Sequence, residues 1–208
     1  GCTMVVKPAP QTPFSALALA ALAEQAGLPA GVLNVVTGPA QFIGDELLDN
    51  PLVRKLSFTG STRTGQYLMQ RCAGTLKRLS LELGGNAPFI VFADADLDAA
   101  VAGALTSKYR NSGQTCVCAN RFLIQDEIYD AFAARLTQAV QAQLKVGNGL
   151  EPGVTQGPLI DAAALAKVER HVADAVAQGA NVLTGGRQHA LGGTFYEPTV
   201  LSEATREM

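Results

Sequence analysis

An α/β fold built on parallel strands is the architecture this 208-residue chain predicts, and three observations carry it. Short β-branched runs alternate with longer stretches of helical length, and Gly/Pro-bearing turns separate them. A hydrophobic content of 48% against 16% charged residues supplies enough apolar surface for a substantial core. The alternation starts at once: a strand over 3–6, a helix over 14–26, a strand over 32–36, a helix over 41–49 and a strand over 55–58. Such βαβ units place ligands beyond the carboxyl ends of their strands. A helix over 63–72 and a strand over 78–82 follow. Gly84-Gly85 then breaks the pattern, so two domains are expected, 1–85 and 86–208. The second opens with a strand over 88–92 and a helix capped by Asp94 or Asp96 that ends near Arg110. A cysteine-bearing loop, a strand over 121–124 and helices over 128–144 and 162–178 complete it. Composition alone allows a flexible linker over 147–158.

A net charge of −2 leaves no basic footprint, which argues against nucleic acid or an acidic membrane surface as partner and for a small ligand. Four irregularly spaced cysteines and two histidines, His171 and His189, favour neither a secreted disulfide framework nor a metal site, and fit a reducing compartment. Asp94, Asp96 and Asp98 read as cap and first-turn acids rather than metal ligands. The longest apolar run, 15–23, is too short to span a membrane.

Two residue types carry the chemistry. Cys116 lies in the polar loop Asn111-Ser112-Gly113-Gln114-Thr115-Cys116-Val117-Cys118-Ala119-Asn120-Arg121. A lone cysteine is more often a small buried hydrophobe, as Cys2 and Cys72 are taken to be. Glu82, in Leu81-Glu82-Leu83-Gly84-Gly85-Asn86, ends a strand before two glycines that let backbone and ligand approach closely; an exposed strand-end acid is an equally good reading. A thiol attacks a carbonyl as thiolate, and a carboxylate can activate that thiol or a water that later cleaves a thioester. The pair points to covalent catalysis on a carbonyl. Phe58-Thr59-Gly60-Ser61-Thr62 joins a strand to a helix, where free N–H groups can hold a pyrophosphate, although Ser61 or Thr62 can equally be an N-cap. Lys7 alone reads as a solvated lysine. Arg110, six residues before Cys116, reads as a donor to helix-end carbonyls or as a substrate ligand.

Together the loop and the Glu82 stretch resemble the active-site signatures of the aldehyde dehydrogenase superfamily. Thr3-Met4-Val5-Val6-Lys7-Pro8-Ala9, Gln11-Thr12-Pro13-Phe14, Phe58-Thr59-Gly60-Ser61 and Gln156-Gly157-Pro158-Leu159-Ile160 fall in that family's order, most like its bacterial succinate-semialdehyde-oxidising members. The resemblance implies a parallel Rossmann-like cofactor domain followed by an α/β catalytic domain, both incomplete here, because family members are about twice as long or more. An internal fragment is therefore expected, without the oxyanion-binding asparagine, the glutamate-phenylalanine cofactor segment or the oligomerisation strands, and inactive in isolation. The resemblance makes Cys116 the nucleophile and Glu82 the general base. It assigns Lys7, Pro8, Ala9, Pro10, Gly60, Ser61 and Leu83 to the cofactor, and gives Arg110 the grip on a substrate carboxylate. It also makes 147–158 a structured loop. NAD-preferring relatives carry a glutamate where Pro10 stands, so a neutral residue tilts the expectation to NADP, with NAD admissible. Cys118 is the candidate partner of Cys116 in a redox switch, although residues at i and i+2 bridge only with backbone adjustment. The implied activity is NAD(P)-dependent oxidation of succinate semialdehyde to succinate in a cytoplasmic homotetramer or homodimer. A glutarate-semialdehyde or uncharged-aldehyde enzyme, or an inactive nucleotide-binding piece, are the alternatives.

Overall fold

In each half of the chain the apolar face of paired strands packs against apolar residues of two helices. A computed structural model describes residues 1–208. They divide into two compact units, Gly1–Leu83 and Gly84–Met208.

In the first unit, β1 (Met4–Val6) pairs in parallel with β2 (Leu33–Val35), and β3 (Lys55–Thr59) with β4 (Arg78–Glu82). Helix α1 (Phe14–Gln25) joins β1 to β2, α2 (Ala40–Asp49) leads into β3, and α3 (Thr62–Ala73) joins β3 to β4. The βαβ order is the one expected, but the strands form separate pairs rather than one continuous sheet. A Schellman closure ends α1: the Gly27 N–H donates to the Glu24 carbonyl and the Leu28 N–H to that of Ala23, both at 2.9 Å. Ser61 starts α3 by accepting the Thr64 N–H on its Oγ at 3.2 Å. Residues 65, 68 and 72 then fall on one helical face. That face buries Leu68 and Cys72 beside Leu48 of α2 and against Leu56, Phe58 and Leu79. Arg71 binds Asp45 at 3.0 Å and Asp49 at 2.7 Å, tying α3 to α2. Lys77 is only 8% exposed; its ammonium donates to the carbonyl of Asn50, which caps α2, and to that of Val53 just beyond it.

In the second unit, β5 (Ala87–Val91) pairs in parallel with β6 (Ala119–Ile124), and α4 (Leu97–Tyr109) connects them. Asp96 rather than Asp94 caps α4, accepting the N–H groups of Asp98 and Ala99. Val101, Ala104, Leu105 and Tyr109, at i, i+3, i+4 and i+8, share one helical face and pack with Phe132, Leu136 and Val140 of α5 (Tyr129–Gln143) and with Val91. Phe89, Phe122 and Phe132 extend this core through tilted ring contacts at centroid separations of 5.3 and 6.5 Å. Residues 147–158 form an ordered loop, since Val146 and Gln156 make a parallel bridge. After α6 (Ala162–Ala177) comes a pair absent from the sequence expectation, β7 (Asn181–Thr184) antiparallel to β8 (Val200–Ser202). Four- and three-residue strands separated by a long polar loop carry no periodic signal.

Tyr109 is buried, its hydroxyl donates to the Thr199 carbonyl at 2.8 Å, and burial raises the phenol above its ordinary 10.0. The folded state therefore keeps a proton that the unfolded chain releases. This contribution is intact below pH 10 and lost as pH rises beyond it. Tyr109→Phe should cost about 1 kcal/mol near neutrality, because the Thr199 carbonyl loses its donor. It should also flatten the decline of the thermal unfolding midpoint between about pH 9.5 and 11. An unchanged alkaline slope would contradict the assignment.

Candidate active site

At the end of α4 the backbone changes hand. Arg110 closes the helix at φ −55°, ψ 131°, and Asn111 (φ 54°, ψ 38°), Ser112 (φ 55°, ψ 32°) and Gly113 (φ 74°) are all left-handed. Gly113 adopts that region freely and Asn111 tolerates it, whereas Ser112 bears a strain of about 1–2 kcal/mol. The strain persists because side chains tie the turn to residues 156–160. Gln156, 5% exposed, donates to the Tyr109 carbonyl at 3.1 Å, and Ser112 Oγ donates to the Gly157 carbonyl at 3.1 Å. Gln114 donates to the Pro158 carbonyl at 3.3 Å and accepts the Ile160 N–H at 2.9 Å.

This turn delivers two thiols into unlike surroundings. Cys116 is exposed, while Cys118 is 1% exposed, lies 2.7 Å from Thr115 Oγ1 and donates to the Lys108 carbonyl at 3.4 Å. All four cysteines are free; Cys72 is buried as expected, whereas Cys2 is exposed. A methyl group on Gly85 would fall 2.9 Å from the Cys116 carbonyl oxygen, so only glycine lets the chain pass there. The next residue is held in place: Asn86 Oδ1 accepts from Asn120 at 3.1 Å, and its carbonyl accepts from Arg121 at 3.2 Å. Asn120 is the extra residue in a β5–β6 register shift, which frees its side chain, and its Oδ1 accepts from the Lys108 ammonium. Burial holds Lys108 below its ordinary 10.5, with Cys118 pulling the other way.

Arg110 is exposed at the helix end and takes part in none of the chain's ion pairs. In the first unit, Glu82 is the exposed last residue of β4, and its carbonyl accepts the Gly60 N–H at 3.0 Å. Gly60 and Ser61 form the β3–α3 junction, where the first N–H groups of the helix lack acceptors within it. Leu83 is half-buried against Gly65 of α3. Lys7 and Pro8 are half-buried and Ala9 and Pro10 exposed, just past β1, with the Lys7 ammonium on the Pro8 carbonyl at 2.6 Å. No three His, Cys, Asp or Glu side chains gather where they could hold a metal ion, and no helix is long and apolar enough to cross a membrane.

Sequence reasoning assigned no role to Lys108, Ser112, Gln114, Asn120 or Gln156. The available signal was a set of polar side chains interleaved with the thiol loop, and a Gln-Gly-Pro landmark whose purpose the sequence does not reveal.

The second unit thus carries an exposed thiol on a braced turn beside a glycine crossing, and in the chain it follows a parallel βαβ unit. The chain belongs to the aldehyde dehydrogenase family, whose model matches residues 1–208. It is 68% identical over 206 residues to the glutarate-semialdehyde dehydrogenase of Pseudomonas aeruginosa, covering 99% of this chain and 42% of that one. It is 66% identical over 201 residues to the succinate-semialdehyde dehydrogenase [NADP(+)] of Escherichia coli, covering 97% and 42%. The crystal structure of succinate-semialdehyde dehydrogenase from Burkholderia pseudomallei matches with a TM-score of 0.97 at 63% identity, over 100% of this chain and 43% of that one. The chain thus spans about two-fifths of the length of these relatives.

Gly85→Ala should push its new methyl group into the Cys116 backbone, where no flexible side chain can yield. A loss of about 1–3 kcal/mol in stability is expected. Denaturant unfolding of the complete protein checks it, and an unchanged midpoint would mean that the crossing relaxes freely.

Proposed function

We propose that the complete protein oxidises a short semialdehyde bearing a terminal carboxylate, succinate semialdehyde foremost, to the corresponding acid. The observation that carries this reading is the exposed thiol of Cys116 on a braced, left-handed turn, while the neighbouring thiol of Cys118 is buried. Cys116 attacks the aldehyde carbon and holds it through a C–S bond, first as a thiohemiacetal and, after loss of a hydride, as a thioester. Glu82 takes a proton from the water that attacks the thioester, and the acid leaves as the thiol is restored. An acidic residue at this position favours water over a second thiol as acyl acceptor.

The unit Gly1–Leu83 is proposed to belong to the cofactor-binding domain and Gly84–Met208 to the catalytic domain. A bound nicotinamide dinucleotide supplies the hydride acceptor. Gly60 and Ser61 suit its pyrophosphate because they lead into the start of α3, where the first-turn N–H groups other than that of Thr64, which Ser61 caps, have no acceptor within the helix. Lys7, Pro8, Ala9 and Pro10 suit its adenine-side ribose, and Leu83 its nicotinamide end. Pro10 places no carboxylate against a 2′-phosphate, which supports NADP with NAD admissible, in keeping with the similarity to the NADP(+) enzyme of Escherichia coli. Arg110, unpaired within the chain, is the proposed carboxylate grip. A second reading, glutarate semialdehyde, is favoured by the 68% identity to an enzyme of that name. The two substrates differ by one methylene, a distinction worth only about 1–3 kcal/mol in a pocket.

Cys116→Ala should abolish turnover in the complete enzyme with cofactor affinity nearly unchanged. Glu82→Gln should preserve a pre-steady-state burst of reduced cofactor while steady turnover stalls. Absence of the burst in Glu82→Gln would move the carboxylate's role to thiol activation.

Arg110→Ala should lower kcat/KM for succinate and glutarate semialdehydes about ten- to a hundredfold, the usual loss of a charge-assisted contact. Butyraldehyde, which has no carboxylate, should be nearly unaffected. Equal losses on all three would make Arg110 a structural helix-end residue.

A further inference from the structure

The Gln156-Gly157-Pro158-Leu159-Ile160 stretch has no part in the chemistry above, yet it makes three side-chain-mediated hydrogen bonds to the thiol loop and a fourth to the end of α4. Its residues rise in step with those of the loop: Gln156 meets Tyr109, Gly157 meets Ser112, and Pro158 and Ile160 meet Gln114. The two segments therefore run parallel. Ordinary strand pairing is closed to them, because a left-handed turn does not present its peptide groups in an alternating line. Side chains replace it. The Gln114 amide offers one acceptor and one donor to the N–H of Ile160 and the carbonyl of Pro158, as a backbone peptide in a ladder would.

The stretch is itself held from behind. The Gln156 N–H donates to the Lys145 carbonyl, the Gly147 N–H to the Gln156 carbonyl and the Leu159 N–H to the Thr194 carbonyl, each at 3.0 Å. Thr194 Oγ1 returns a bond to the Leu159 carbonyl at 2.7 Å. The loop is thus pressed against a template fixed on its far side.

We infer that residues 156–160 are the template that sets the height and direction of the Cys116 thiol, and that Gln114 is the positioning residue through which it acts. This rests on the reading of Cys116 as nucleophile. Gln114 touches no reacting atom; its effect passes through Thr115 and the Cys116 backbone to the sulfur. Glutamate at 114 keeps the acceptor for Ile160 but loses the donor to Pro158, asparagine is one methylene too short to span both, and alanine keeps neither.

The test uses the complete enzyme with Gln114→Ala, Gln114→Asn, Gln114→Glu and Cys116→Ala, each confirmed folded by its thermal unfolding midpoint. Displacing a reacting group by about 1 Å lowers rates by up to about a hundredfold. Gln114→Ala and Gln114→Asn should accordingly lower kcat about ten- to a hundredfold with cofactor KM within about twofold, and Gln114→Glu should fall between them and the parent. Amide hydrogen exchange over 111–118 and 156–160 should accelerate in Gln114→Ala while exchange in α4 and α5 stays as in the parent. Unchanged kcat in Gln114→Ala, or unchanged exchange at both segments, overturns the inference. Turnover surviving in Cys116→Ala overturns the nucleophile reading instead, and the exchange measurement still reports on the template.

Discussion

The second unit depends on a single constraint: three successive left-handed residues, 111–113, at the foot of the thiol loop. Chirality opposes such a run in L-residues, so the turn exists only where neighbouring bonds outweigh its strain. Those bonds come from Ser112, Gln114 and the buried Gln156. Each satisfies a backbone group that a non-helical, non-strand segment would otherwise leave open. Reactive geometry and backbone hydrogen-bond satisfaction are here the same arrangement.

Rigidity below the loop follows from ordinary packing. Helix α4 is fixed by the interlocked stripes of α4 and α5 over β5 and β6, so its last turn is a firm base for the change of hand. Tyr109 belongs to this core through its ring, to the 199–200 region through its hydroxyl, and to the template through its carbonyl. On the opposite side, the bulged Asn120 links the Lys108 ammonium to Asn86, which holds the Gly85 crossing against Cys116. The lysine is retained as a partly desolvated donor because that asparagine oxygen accepts from it.

The parts of this molecule legible in its sequence were those governed by local rules. The βαβ alternation, the N-cap at Ser61 and the acid cap on α4 follow from side-chain period and capping chemistry acting over a few residues. The thiol loop and the Leu81-Glu82-Leu83-Gly84-Gly85 stretch stood out as candidates through their resemblance to family motifs, because residue chemistry alone left a buried cysteine and an exposed strand-end acid as equally good or better readings. The hand of the 111–113 turn was not legible: Asn-Ser-Gly signals a turn, but its direction is decided by partners 44–47 positions away. The β7–β8 pair was missed for a similar reason, since strands of four and three residues are stabilised by their pairing rather than by propensity. Cys118 illustrates the remaining gap: a Cys-X-Cys spacing leaves open whether both thiols face one way, and the buried hydrogen bonds of Cys118 decide it.

The sequence distance between the turn and its template also bears on biosynthesis. A ribosome delivers Asn111, Ser112 and Gly113 some 44–47 residues before the groups that stabilise their conformation. At about 5–20 residues per second that interval lasts roughly 2–9 s. Throughout it the loop has no reason to turn left-handed, and the nascent thiols of Cys116 and Cys118 share the same unstructured, solvated segment. Their separation into an exposed and a buried sulfur is acquired only when the template emerges, so a freshly translated chain passes through a stage in which oxidants meet two equivalent thiols.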